Sequence, residues 1–190
     1  MKNYALITGC SKGIGKELSL LLLQKGYTVF GYSRTNSIKH NNFHFNQVDL
    51  SNVKNLESIN FPKVDENEHV CLINNAGEIG EINKFGNKKT NDIINEFNLN
   101  TIAPCILCNT FIRSYQNQSN HPIIINISSG AALRPIESWG TYCQSKAALD
   151  MLTKIINQEQ NSIKAYSIYP GVVDTEMQKK IRDTDIEKFA

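Results

Sequence analysis

Short apolar runs alternate along the chain with longer stretches of helical periodicity. Residues 4–8 (YALIT), 27–32 (YTVFGY), 43–48 (FHFNQV), 69–73 (HVCLI), 123–127 (IIINI) and 163–169 (IKAYSIY) are brief and rich in aliphatic or aromatic side chains. Bounded by glycine, proline or polar clusters, such runs predict strands, several of them buried on both faces. Between them, residues 16–25 predict a helix closed by Gly26. A longer helix is expected over 90–116, and another over 138–160, with apolar side chains at Ala147, Leu149, Met151, Leu152, Ile155 and Ile156. Pro104 should kink the former near Asn100, because proline removes a helical hydrogen bond and frees a carbonyl upstream. Ser51 is placed to cap a short helix, and Pro62 should break any helix before residue 67. Residues 78–89, rich in glycine, asparagine and lysine, read as a surface loop.

Strands alternating with helices predict an α/β fold, a doubly wound parallel sheet with right-handed crossovers. Six strands are recognisable, with the expected order 3-2-1-4-5-6. A length of 190 residues fits one domain covering 1–190 and suffices to bury a core. The net charge of +2 and the lack of a basic block exclude a nucleic-acid partner. No apolar run approaches the ~18 residues needed to cross a bilayer, and the stretch before Cys10 is far too short for a secretory leader. A cytoplasmic protein is expected. Five cysteines without a regular framework point to reduced thiols. Cys105 and Cys108 fall in an apolar helical run and are expected to be buried, and no Cys or His pairing has metal spacing. His40, His44, His69 and His121 are scattered.

The residues able to do chemistry collect after the strands. In doubly wound sheets ligands bind at the carboxyl ends of the strands, where the order reverses. After the first strand come Gly9, Ser11, Lys12, Gly13, Ile14 and Gly15; after the second, Arg34; after the third, Asp49 and Leu50. Asn74, Asn75, Ala76 and Gly77 follow the fourth, Ser129 the fifth, and Pro170, Gly171, Val173 and Thr175 the sixth. A glycine loop between strand and helix lets backbone amides reach a pyrophosphate at the helix N-terminus. Where an acid would bind a ribose 2′-hydroxyl, this chain has Arg34, with Lys12 able to approach from the other side; the cofactor expected is NADP(H), not NAD. Tyr142 and Lys146, four residues apart, share a helix face. An ammonium near a phenol can lower its pKa from ~10 by roughly 1–3 units, which makes the pair an acid/base device.

Taken together, TGCSKGIG (8–15), NNAG (74–77), Asn100, NISSGAA (126–132), YCQSK (142–146) and PGVVDT (170–175) resemble the short-chain dehydrogenase/reductase family over essentially the whole chain. Residues 139–152 and 170–178 are similar to its sepiapterin-reductase and benzil-reductase-like branch. The resemblance implies a catalytic tetrad of Asn100, Ser129, Tyr142 and Lys146. Ser129 is preferred to Ser128 because family members place the serine thirteen positions before the tyrosine, and 142 − 129 = 13. Tyr142 would protonate a carbonyl oxygen, Ser129 would hold it, and Lys146 would lower the Tyr142 pKa and bind the nicotinamide ribose. A carbonyl at the Asn100 kink would relay protons to Lys146 through water. Asp49 and Leu50 would frame the adenine, Asn75, Ala76 and Gly77 the ribose, and Val173 with Thr175 the carboxamide. The implied activity is NADPH-dependent reduction of a small ketone, diketone or pterin-like carbonyl by a homodimer or homotetramer. The dimer is expected to pair helices 91–116 and 138–160. Family members continue beyond the sixth strand, so residues 176–190 are expected to form the mobile start of a substrate lid, with the rest of it missing. A catalytically weak nucleotide-binding sensor is the alternative, and an oxidative NAD enzyme is disfavoured by Arg34.

Overall fold

The computed structural model describes residues 2–184. Its centre is a six-stranded parallel sheet in the order β3-β2-β1-β4-β5-β6. The strands are β1 (Asn3–Thr8), β2 (Thr28–Ser33), β3 (Phe43–Gln47), β4 (His69–Asn74), β5 (Ile123–Ile127) and β6 (Lys164–Ile168). The helices are α1 (Gly13–Gln24), α2 (Val53–Leu56), α3 (Thr90–Phe97), α4 (Ala103–Tyr115), α5 (Gly140–Glu159) and α6 (Glu176–Arg182). The sheet order and the strand boundaries agree with the hydrophobic pattern to within two residues.

Because side chains alternate across a strand, β1 feeds two cores at once. Leu6 points to one face, where Leu72, Ile124, Leu107, Phe111 and Ile156 are buried with it. Ala5 and Ile7 point to the other, against Val29, Ile73 and Leu23 of α1. A polar ladder crosses this apolar frame. Asn74 donates to Asn126 (2.9 Å), Asn126 to Thr153 (2.9 Å), and Ser167 to Thr153 (2.9 Å). Asn74, Asn126 and Ser167 are direct neighbours in the register of β4, β5 and β6.

Four local expectations are corrected. Asn52, not Ser51, caps α2 by accepting from the Lys54 amide; the Ser51 hydroxyl is taken by Asp49 at 2.7 Å. The long helix is interrupted near Asn100, as expected, but by a π-helical turn over Asn98–Ile102, where the Ala103 amide reaches back to the Asn98 carbonyl. Pro104 sits just inside α4 and only removes the donor that would meet the Asn100 carbonyl. Residues 78–89 are not simply a surface loop, since Ile79 and Ile82 are buried. They form a strap across the start of α5, with the Asn83 amide donating to Ser138 O at 3.0 Å and Lys84 paired with Glu137. Cys108 is buried, as expected, but Cys105 is only half-buried.

The segment after β6 contains the short helix α6. Thr175 caps it by accepting from the Gln178 amide, and Met177 and Ile181 pack onto a third cluster made of Ile79, Ile82, Ala131 and Tyr142. Residues 185–190, the rest of the expected mobile start of a lid, lie outside the described residues. No described helix is long and apolar enough to cross a membrane.

Candidate active site

At the carboxyl end of the sheet the backbone is packed too tightly for side chains at two positions. A Cβ on Gly9 would sit 2.9 Å from the Ala76 Cα, and one on Gly15 would overlap the Gly9 carbonyl and Asn75 Nδ2. The loop after β4 is sewn to the loop after β1: Asn75 Nδ2 donates to Thr8 O and Gly9 O, and Thr8 Oγ1 accepts from the Asn75 and Ala76 amides. Asn75 and Ala76, directly after β4, thereby shape the glycine loop from beneath. Helix α1 opens directly from that loop at Gly13, and no side chain caps it. Its first amides and the positive end of its dipole are therefore left available to an anion.

A cavity of about 410 Å³ lies over this end of the sheet. Gly9, Ser11, Lys12, Gly13 and Ile14 form its floor, and Arg34, Asp49 and Leu50 one end. The Ser51 hydroxyl, aided by its amide and the nearby Arg34, holds the Asp49 carboxyl below its ordinary pKa against the effect of burial. Asn75, Ala76 and Gly77 line the middle; Ser129, Tyr142 and Lys146 line the other end, facing Pro170, Gly171, Val173 and Thr175. Two expected residues are not on the wall. Gly15 supports the loop from behind. Asn100, fully buried, accepts from the Glu78 amide at 3.0 Å and donates to Glu78 O at 2.8 Å and to Ser145 Oγ at 3.2 Å.

The electrostatics of Tyr142 differ from expectation. Its phenol is pushed above its ordinary pKa, chiefly by burial, with the Ser129 hydroxyl acting the other way and Cys143 and Glu96 adding to the rise. Lys146 does not offset this. It is itself only 4% exposed and pushed down to about 8 by burial, with Asp150 opposing. Its Nζ donates to Ile127 O at 2.8 Å and lies 5.8 Å from the centre of the Tyr142 ring. Helical spacing put both groups on one face, and the ammonium is held there by a main-chain acceptor at the end of β5.

Several wall residues were not read from the sequence. Ile79, Trp139, Met177 and Ile181 make the apolar side next to Tyr142, with the Trp139 ring edge-on at 6.0 Å between centres. Ile79 and Ile82, three apart in an otherwise polar stretch, were the available signal for a packed strap. Ser128, the serine set aside, also lines the cavity, and its hydroxyl is buried without a partner. Among the described residues no cluster of His, Cys, Asp and Glu could hold a metal ion.

A glycine cradle, an uncapped helix start and a tyrosine–lysine pair at the end of a parallel sheet define a dinucleotide-fold oxidoreductase. The profile described as "short chain dehydrogenase" matches residues 3–186, and the chain belongs to that family. Benzil reductase ((S)-benzoin forming) of Bacillus subtilis (strain 168) is 35% identical over 194 residues, covering 97% of this chain and 80% of that protein. Sepiapterin reductase of Meriones unguiculatus is 36% identical over 130 residues, covering 66% of this chain and 49% of that one. Among solved structures, a short-chain dehydrogenase/reductase of Burkholderia vietnamiensis superposes with a TM-score of 0.82 at 27% identity, over 95% of this chain and 90% of that chain. A variant of ElxO with NADPH bound gives 0.82 at 29% identity, over 96% and 79%.

Proposed function

We propose that the protein is an NADPH-dependent carbonyl reductase acting on a small ketone, diketone or pterin-like carbonyl. The observation that carries this reading is that one cavity joins the glycine loop and Arg34 at one end to Ser129, Tyr142 and Lys146 at the other. The close packing at Gly9 and Gly15 and the uncapped start of α1 fit a dinucleotide laid across the loop. The benzil and sepiapterin reductases among the relatives support the carbonyl class of substrate.

Bound NADPH would supply the hydride. The amides of residues 11–15 would hold its pyrophosphate, and Arg34 with Lys12 its 2′-phosphate. Asp49 and Leu50 would frame the adenine; Asn75, Ala76 and Gly77 would face a ribose, and Pro170, Gly171, Val173 and Thr175 the carboxamide. Ser129 would donate to the substrate oxygen and fix the carbonyl beside Tyr142, whose raised pKa keeps its proton on until an alkoxide forms. Lys146, with a pKa of about 8, can exchange a proton near neutrality and so restore the phenol, aided by Asn100 at the helix turn. Tyr142→Phe removes only the hydroxyl. It should lower kcat for benzil reduction by about 10²–10⁴ while the Kd for NADPH stays within a few-fold; wild-type kcat in that variant rules the reading out.

A further inference from the structure

Glu96 is a buried acid that this reading leaves unused. It is 1% exposed on α3, one turn before Asn100, and one carboxyl oxygen, Oε1, has no hydrogen-bond partner. The other, Oε2, accepts from the Thr141 hydroxyl at 2.5 Å. Thr141 is the residue before Tyr142. The same carboxyl packs on Gly80, whose φ is +64° and where any Cβ would collide with it. The Gly80 carbonyl accepts from Lys180 Nζ of α6 at 2.6 Å. One turn along the same helical segment, Asn100 grips the strap at Glu78. The strap is therefore held at two points, and between them Ile79 packs against Tyr142.

We propose that Glu96 is a positioning residue for Tyr142: its carboxyl clasps Thr141 and the Gly80 turn together, and its charge sets how tightly the neighbouring phenol keeps its proton. The inference rests on Tyr142 being the proton donor. Burial raises the Glu96 pKa to about 7, against the Thr141 hydroxyl and the cations Lys88 of the strap and Lys180 of α6, with Glu78 adding to the rise. The carboxyl therefore changes charge within the working range. When ionised it holds Thr141 by a charge-assisted hydrogen bond and raises the Tyr142 pKa. When neutral it does neither, so the phenol gives up its proton more readily.

Glu96→Gln keeps the shape and the acceptor but fixes the neutral state. In protein carrying 13Cζ-labelled tyrosine, with the Tyr142 signal assigned by Tyr142→Phe, the substitution should lower the Tyr142 pKa by about half a unit or more. The alkaline limb of NADPH-dependent benzil reduction should move down with it, while wild type and variant converge below about pH 6, where the wild-type Glu96 carboxyl is protonated and as neutral as the glutamine. Thr141→Val should lower kcat several-fold with KM for NADPH unchanged, and Thr141→Ser should restore it. A phenol titration untouched by Glu96→Gln overturns the inference. If Glu96→Gln does not fold, wild-type kcat in Thr141→Val overturns it instead. Should the wild type reduce no carbonyl, the proposed activity fails, yet the phenol titration still decides the role of Glu96.

Discussion

Lys146 donates to the carbonyl of Ile127 at 2.8 Å, so β5 holds the ammonium by its main chain. This placement carries an energetic cost. In the unfolded chain the lysine keeps its proton to about 10.5, in the folded protein only to about 8. Above the higher value both states are neutral. As pH falls from there to 8 the unfolded chain binds more protons, and below 8 the loss is complete, on the order of 3 kcal/mol. Lys146→Met should therefore gain about 1–2 kcal/mol at pH 7, after allowing for the lost hydrogen bond, and the gain should vanish by pH 10. Carbonyl reduction should be abolished in the same variant. Urea unfolding at the two pH values checks this, and a variant less stable than wild type at pH 7 contradicts it.

Arg34 lines the end of the cavity beyond β2, standing directly after that strand where an acid would meet a ribose hydroxyl. Arg34→Ala should weaken NADPH binding by about tenfold or more and leave NADH nearly unchanged. Calorimetric titration with both coenzymes is the measurement; equal losses for the two would remove the argument for NADP.

Gly15 is closed on one side by the Gly9 carbonyl and on the other by Asn75 Nδ2. Gly15→Ala cannot be absorbed by a side-chain rotation, because one of the two obstacles is main chain. The glycine loop should open, costing about 1–3 kcal/mol of stability and at least tenfold in NADPH affinity. An alanine variant with wild-type melting temperature and affinity would show that the loop is more yielding than its packing indicates.

Exposed apolar side chains stand on α3, on the π-helical turn that follows it and on α5. Ile94, Ile102, Met151 and Ile155 are 49%, 38%, 53% and 43% exposed. Pairing of these helices across a two-fold axis would bury them, and a homodimer is expected at micromolar concentration. Met151→Glu combined with Ile155→Glu should dissociate it. Light scattering that finds only monomer in the unaltered protein would dispose of the pairing.

The sheet was legible because its strands are short, apolar and punctuated, so that strand order and the residues at the strand ends followed together. Most of the cavity wall came with it, from Gly9 through Thr175. What stayed hidden depended on contacts between distant segments. A π-turn at Asn98–Ile102 leaves no mark in composition, and Pro104 drew notice to itself instead. Ile79 and Ile82 lay among polar residues, and their burial follows from α6 and the start of α5 closing on them together. Glu96 resembles a solvent-facing helix residue until Thr141 and Gly80 close over it. The spacing of Tyr142 and Lys146 gave the shared face correctly, but it could not reveal that the ammonium would be bonded to the Ile127 carbonyl.

The Asn74–Asn126–Thr153–Ser167 ladder acts as an alignment key for half the sheet. Sliding β5 by one residue would turn the Asn126 amide toward the opposite layer and strand its partners without mates, at about 1–3 kcal/mol for each orphaned group. Misthreaded forms are thereby discouraged before any ligand arrives. The ends of β4, β5 and β6 are thereby kept in step, so that the loops which line the cavity leave the sheet at matched heights.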